Sequence, residues 1–211
     1  MCLFLSKGWV YSFASKDVEA QFKKSQKKIC ISAHSTPFAD GAILHVALNS
    51  LGQSNHKFYT IGMDWVGLNW CEDVKKGGFV QKEIKILKET DVFCRCLFPS
   101  GGTVKWKTGF FVLAKETGAD IFLLGLDYSN NTVTVDSVLD TKMPVQEATI
   151  IAQQRLRKYS AGPLYYILRV LIGYGCETYD ISTRRLLVIR LGLISVTCYL
   201  FYNIIICHLC K

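Results

Sequence analysis

Apolar and polar positions along the chain follow two rhythms, one of period two and one near 3.6, and the changes of rhythm divide it into short elements. Residues 29–33 are a brief apolar run with β character. It stops at His34, Ser35, Thr36 and Pro37, where proline denies a continuing strand its hydrogen bond. Asp40 then precedes an amphipathic segment over 41–51, and Gly52 follows it, as acidic starts and glycine ends do for helices. Residues 57–63 predict a second strand, and 64–78 are irregular and glycine-containing. Residues 79–90 predict a helix with Lys and Glu interleaved on an exposed face. A third strand is expected over 91–98, ending at Pro99, Ser100, Gly101, Gly102 and Thr103. Residues 108–118 predict a helix, and 121–127 are nearly all apolar, as in a strand covered on both faces. Asn130 and Asn131 mark a turn, 132–139 a strand returning as a hairpin, and 143–159 a polar helix.

The order β-α-β-α-β-α-β-β-α predicts an α/β domain, a mixed sheet flanked by helices. Such sheets place their sites in the loops at the carboxyl ends of strands. His34 and the 99–103 loop both fall there. Ahead of this domain, residues 1–13 are mildly apolar but lack the h-region and cleavage site of a signal peptide. Residues 15–28 predict a polar helix or loop, ending in a basic patch that contains Lys23, Lys24, Lys27 and Lys28.

After Gly162 the character changes. Residues 164–175 are apolar apart from Arg169, and 191–209 contain no Asp, Glu, Lys or Arg. The latter stretch approaches the ~20 apolar residues that cross a hydrocarbon core of about 30 Å. Arg184, Arg185 and Arg190 precede it and Lys211 follows, an asymmetry that puts the main domain on the cytoplasmic side. The expected division is therefore a basic segment at 1–28, the α/β domain at 29–160, an apolar and basic connection at 161–190, and a C-terminal transmembrane helix at 191–209.

A chain of 211 residues has room for one such domain and an appendage. Its formal charge of +8 suits an anionic partner: nucleic acid, a phospholipid surface or a phosphorylated ligand. Nucleic acid is the weakest of these, because the lysines form no stripe with interleaved aromatics and no recognition motif is present. Nine cysteines contain no pair of C-x-x-C motifs at zinc spacing. Cys94 and Cys96, two apart in an apolar run, point to one side of a strand rather than forming a metal pair. His208 lies between Cys207 and Cys210, but within the hydrophobic tail. The cysteines are expected to be reduced thiols of a cytosolic compartment, with no metal bound.

Two groups of residues are suited to chemistry. A histidine after a strand and an aspartate at the next helix start, His34 and Asp40, suit a general base and the carboxylate that orients it. Such pairs also occur as purely structural contacts. Gly101, Gly102 and Thr103, followed by Lys105 and Lys107, offer backbone N–H groups and ammonium charge to a phosphate, or equally a tight turn that needs glycine.

The run Lys105-Trp106-Lys107-Thr108-Gly109-Phe110-Phe111, then Ala114, the apolar strand to Leu126 and Asp127-Tyr128, resembles the short bacterial-type members of the phospholipid/glycerol acyltransferase family. Those proteins have a Trp-Lys-Thr-Gly-Phe helix start after a Pro-Glu-Gly-Thr-Arg loop, then an apolar strand ending in Asp-Tyr. Upstream, Ile31-Ser32-Ala33-His34-Ser35-Thr36 is similar to their strand ending in the H-x-x-x-x-D motif. The likeness covers roughly residues 29–140. It implies transfer of a fatty acyl group from acyl-CoA, a co-substrate rather than a bound cofactor, to a hydroxyl of a lysophospholipid or glycerol-phosphate acceptor in phospholipid biosynthesis. His34 would be the general base and Asp40 its orienting partner. Ser100, Gly101, Gly102, Thr103, Lys105 and Lys107 would hold the acceptor phosphate. The implied setting is a membrane, with the catalytic domain facing the cytoplasm.

The chain departs from the family pattern in several places. Five residues rather than four separate His34 from Asp40, Ser100 or Gly101 stands where the family has Glu, and Val104 where it has Arg. The family's second motif, ending in Asp-Arg, corresponds to 67–73 with Val74 in place of Arg. These departures suit an alternative: a catalytically inactive acyltransferase-like membrane protein that binds lipid or a protein partner.

Overall fold

The computed structural model describes residues 8–33, 39–60, 71–73, 78–100 and 106–159. Strand β1 (Val10–Phe13) leads into helix α1 (Lys16–Lys24), β2 (Lys27–Ser32), α2 (Ala39–Ser50), β3 (His56–Thr60), β4 (Cys71–Asp73) and α3 (Phe79–Lys88). There follow β5 (Phe93–Leu97), α4 (Gly109–Thr117), the hairpin β6 (Asp120–Asp127) and β7 (Thr132–Leu139), and α5 (Val145–Leu156). The strands form one mixed sheet in the order β1-β7-β6-β2-β5-β3-β4. Strands β6, β2, β5, β3 and β4 run in one direction, and β7 and β1 run against them.

Local chemistry sets the helix boundaries. Ser15 Oγ accepts from the Val18 N–H at 3.2 Å, capping α1, with Asp17 and Glu19 in its first turn and Lys23 and Lys24 in its last. Gly118, at φ 67°, ends α4 in the left-handed conformation that glycine adopts without strain.

Alternation along the strands sorts side chains to two faces. Ile29, Ile31, Tyr59, Ile121 and Leu123 meet α3, α4 and α5 on one face. Cys30, Phe58, Cys94, Cys96, Phe122 and Leu124 meet α1 and α2 on the other. Both faces of β2 are therefore covered, which accounts for its run of buried residues.

The expected elements between 29 and 159 form, with ends shifted by a few residues. Two strands were not anticipated. β1 and β4 are four and three residues long and lie at opposite edges of the sheet, too short for an alternation to register. Residues 1–28, expected as a separate basic segment, supply β1 and α1 to this sheet. The basic patch is also smaller than expected, because Lys28 is only 3% exposed. The segments at 161–190 and 191–209 lie outside the described residues. Among the described residues no helix is long and apolar enough to cross a membrane.

Each face contains a polar contact that fixes a helix. On the α3 side, the Tyr59 hydroxyl donates to buried Glu83, and Arg95 Nε lies 3.9 Å from the same carboxylate. Arg95 Nη1 also donates to the Cys94 carbonyl at 3.2 Å. Burial above all, with the Glu83 contact, pushes the Tyr59 hydroxyl far above its ordinary range, so it remains a donor. At the far end, Asp136 is the extra residue of a β-bulge, Leu123 pairing with Ser137 and Leu124 with Val135. Its carboxylate accepts from Tyr159 Oη at 2.7 Å and Ser137 Oγ at 2.8 Å, and pairs with Lys158. The Tyr159 ring lies over Gly125, where a Cβ would overlap it. This clamp holds the end of α5 on β6 and β7.

Removing one partner of a buried ion pair strands the other. Glu83→Ala is expected to cost about 3–5 kcal/mol in urea unfolding, while Arg95→Met with Glu83→Leu should recover much of that loss. A second expectation concerns acid. Burial alone would raise the Asp136 carboxyl, but its bonds from Lys158, Tyr159 and Ser137 outweigh this and hold it below the usual range. Its stabilising contribution is then complete above about pH 4 and is lost as pH falls toward the lower folded value. Asp136→Asn should accordingly flatten the acid limb of stability against pH measured between pH 2 and 5.

Candidate functional site

The carboxyl ends of β2, β5 and β6 lie side by side at one edge of the sheet. From β2 the chain passes to α2 on one face, and from neighbouring β5 it passes to α4 on the other. Adjacent strands whose connections leave to opposite faces open a crevice at their carboxyl ends, where α/β sheets bind ligands.

Asp40 sits in the first turn of α2, fully buried. The Tyr128 hydroxyl, from the residue just after β6, donates to Asp40 Oδ1. Trp9, preceding β1, meets the Tyr128 ring edge-on with centroids 5.1 Å apart. The turn that presents Tyr128 is organised by Asp127, whose carboxylate accepts from the Ser129 N–H at 3.0 Å, Ser129 Oγ at 2.7 Å and Asn130 Nδ2 at 2.8 Å. Asn131 completes it at φ 50°, a conformation that asparagine tolerates. A buried carboxylate with a neutral hydroxyl donor remains able to orient or charge-balance a base beside it.

Beyond β5, Pro99 and Ser100 are buried at the crevice edge. The Lys107 N–H donates to the Pro99 carbonyl at 2.9 Å, so both ends of the 99–107 loop are pinned together. Trp106 packs against the core beneath α4, and Lys107 is exposed beside it. Of the residues expected at the site, Asp40, Ser100 and Lys107 are described, all at this edge. His34, Gly101, Gly102, Thr103 and Lys105 lie outside the described residues, as does the His34–Asp40 separation.

No protein-family model matches the chain, and no curated protein matches it.

Sequence reasoning missed Tyr128 as the partner of Asp40. Its only signal was a tyrosine directly after an apolar strand, and the contact spans 88 positions. It also missed a pair of imidazoles. His45 Nδ1 and His56 Nε2 share a proton at 2.8 Å, with His56 also bonded to the Gln53 carbonyl. Burial first, and then the His56 charge, lower the His45 imidazole from its ordinary value. The basic patch of α1 lies elsewhere: Lys23 and Lys24 adjoin Lys27 at the amino end of β2, opposite the crevice.

The Tyr128–Asp40 bond ties the turn after β6 to α2. Tyr128→Phe leaves a buried carboxylate one donor short and is expected to cost about 1–3 kcal/mol of stability by denaturant titration. A loss below about 0.3 kcal/mol would mean the hydroxyl does not hold the carboxylate.

Proposed function

We propose that the protein is a membrane-associated O-acyltransferase that moves a fatty acyl group from acyl-CoA to a hydroxyl of a lysophospholipid or glycerol-phosphate acceptor. The observation that carries the reading is the bond between Tyr128 and Asp40. Asp40 belongs to the upstream motif and Tyr128 to the Asp-Tyr strand end, and both motifs support the family resemblance. Their meeting at the crevice gives two distant stretches of sequence one common purpose.

In this mechanism His34 takes the proton of the acceptor hydroxyl as its oxygen attacks the thioester carbonyl. Asp40 balances the imidazolium that results. The tetrahedral intermediate collapses with cleavage of the carbon–sulfur bond, and the departing coenzyme A thiolate recovers the proton from His34. The acyl group passes directly to the acceptor without an acyl-enzyme. Ser100, with Gly101, Gly102 and Thr103, lies in the loop assigned to the acceptor phosphate, and Lys105 and Lys107 add charge there. Burial of Asp40 supports the arrangement, since water would weaken its hold on the imidazolium.

The test is acyl transfer from labelled acyl-CoA to lysophosphatidic acid in liposomes, wild type beside His34→Ala. Turnover in the wild type and a loss of at least about 100-fold in the variant are expected. Undiminished turnover in the variant would overturn the assignment of the base. A folded wild type that stayed silent across a panel of lysophospholipid and glycerol-phosphate acceptors would replace this reading with that of a lipid- or protein-binding relative.

A further inference from the structure

Cys30 from β2 and Cys94 and Cys96 from β5 meet on the sheet face beneath α1 and α2. All three are free thiols, at most 1% exposed. Their sulfurs lie within 4.8 Å of one another, and Cys30 Sγ is 3.7 Å from Cys94 Sγ. Among the described residues this is the one cluster of His, Cys, Asp or Glu able to share an ion. We propose that Cys30, Cys94 and Cys96 form a buried site for a soft divalent metal ion of the zinc and cadmium class.

Two observations converge on this. The first is spacing. A metal–sulfur bond of about 2.3 Å in tetrahedral geometry sets ligand sulfurs about 3.8 Å apart. The closest pair is already at that separation, and the third sulfur needs only a rotamer-scale adjustment.

The second is register. Cys30 pairs with Cys96 across β2 and β5, while Cys94 pairs with Lys28 on one side and His56 on the other. Lys28 is a buried lysine, its ammonium donating to the Ser25 carbonyl and lying 5.3 Å over the Phe22 ring. Three thiolates and a divalent ion leave one net negative charge, which the Lys28 ammonium balances. A core that merely used cysteines as small apolar fillers would have no reason to bury a lysine in the next row.

A soft ion binds thiolates, so loading would displace the thiol protons to solvent.

Such an ion would join β2 to β5 midway along their pairing, fixing the spacing of the two strands that flank the crevice. Because the thiols are sealed from solvent, loading would occur as the chain folds. The inference is independent of the acyltransferase reading.

The experiment uses the full chain with the six cysteines outside the cluster replaced by serine, refolded under reducing conditions with cadmium(II) or zinc(II) and then stripped of loosely held ion. The expected result is one cadmium per chain, a thiolate-to-metal charge-transfer band in the ultraviolet, and a cadmium-113 resonance in the range of three sulfur ligands. Loaded protein should melt about 5–10 °C above the metal-free form. Cys94→Ser should lose the band and the thermal shift. Absence of retained cadmium, a resonance in the range of oxygen or nitrogen ligands, or unchanged cadmium binding in Cys94→Ser would overturn the proposal. The resonance is read on the chain that keeps all three thiols, so it decides even if the serine variant fails to fold. Recovery of a Cys30–Cys94 disulfide in place of bound metal under these reducing conditions would also overturn it.

Discussion

The parallel pairing of β2 with β5 is the constraint on which the rest of this protein depends. It joins residues 64 and more positions apart, and loop closure over that distance is repaid only when both faces of the new ladder are covered. The chain meets that demand with α4 on one side and α2 on the other. The same arrangement that buries β2 also forces the two connections apart at the carboxyl edge. The crevice is thus a by-product of covering a central strand pair from opposite sides, and Asp40 and Ser100 lie there for that reason.

Polar groups inside this fold are few and sit where one element must be held against another. Glu83 fixes α3 to β3 and β5 through Tyr59 and Arg95. Asp136 uses its bulge to receive the end of α5. Asp40 joins α2 to the turn after β6. The first two have positively charged partners, as expected of groups whose work is positional. Asp40 accepts from a tyrosine hydroxyl in the turn after β6.

Legibility in the sequence followed burial. β6 was evident because a strand covered on both faces is a nearly unbroken apolar run, β2 and β5 as shorter apolar runs broken by Ser32 and Arg95, and α2 because Asp40 and Gly52 bound its apolar stretch. β1 and β4 were not, since an edge strand of three or four residues has no periodicity to detect. Asp40 was legible as a helix-start acid, yet its bond to Tyr128 was not, because that contact exists only once β6 lies beside β2. The cysteines teach the same lesson. Cys94 and Cys96 were correctly read as facing one side of a strand. The third thiol, the lysine and the histidine beside them come from other strands, and only the register brings them into adjacent rows.

Lys28 shows how far register can overturn a reading from composition. Four lysines in six residues looked like one solvated patch. The strand phase beginning at Lys27 instead turns Lys28 toward Phe22 and the thiols. Burying an ammonium costs several kcal/mol unless negative charge or aligned dipoles compensate. The Ser25 carbonyl accepts from the Lys28 ammonium, and the Phe22 ring lies beneath it. The lysine and the three thiols therefore share one face of the β2–β5 pairing, a placement set by strand phase and register that composition does not reveal.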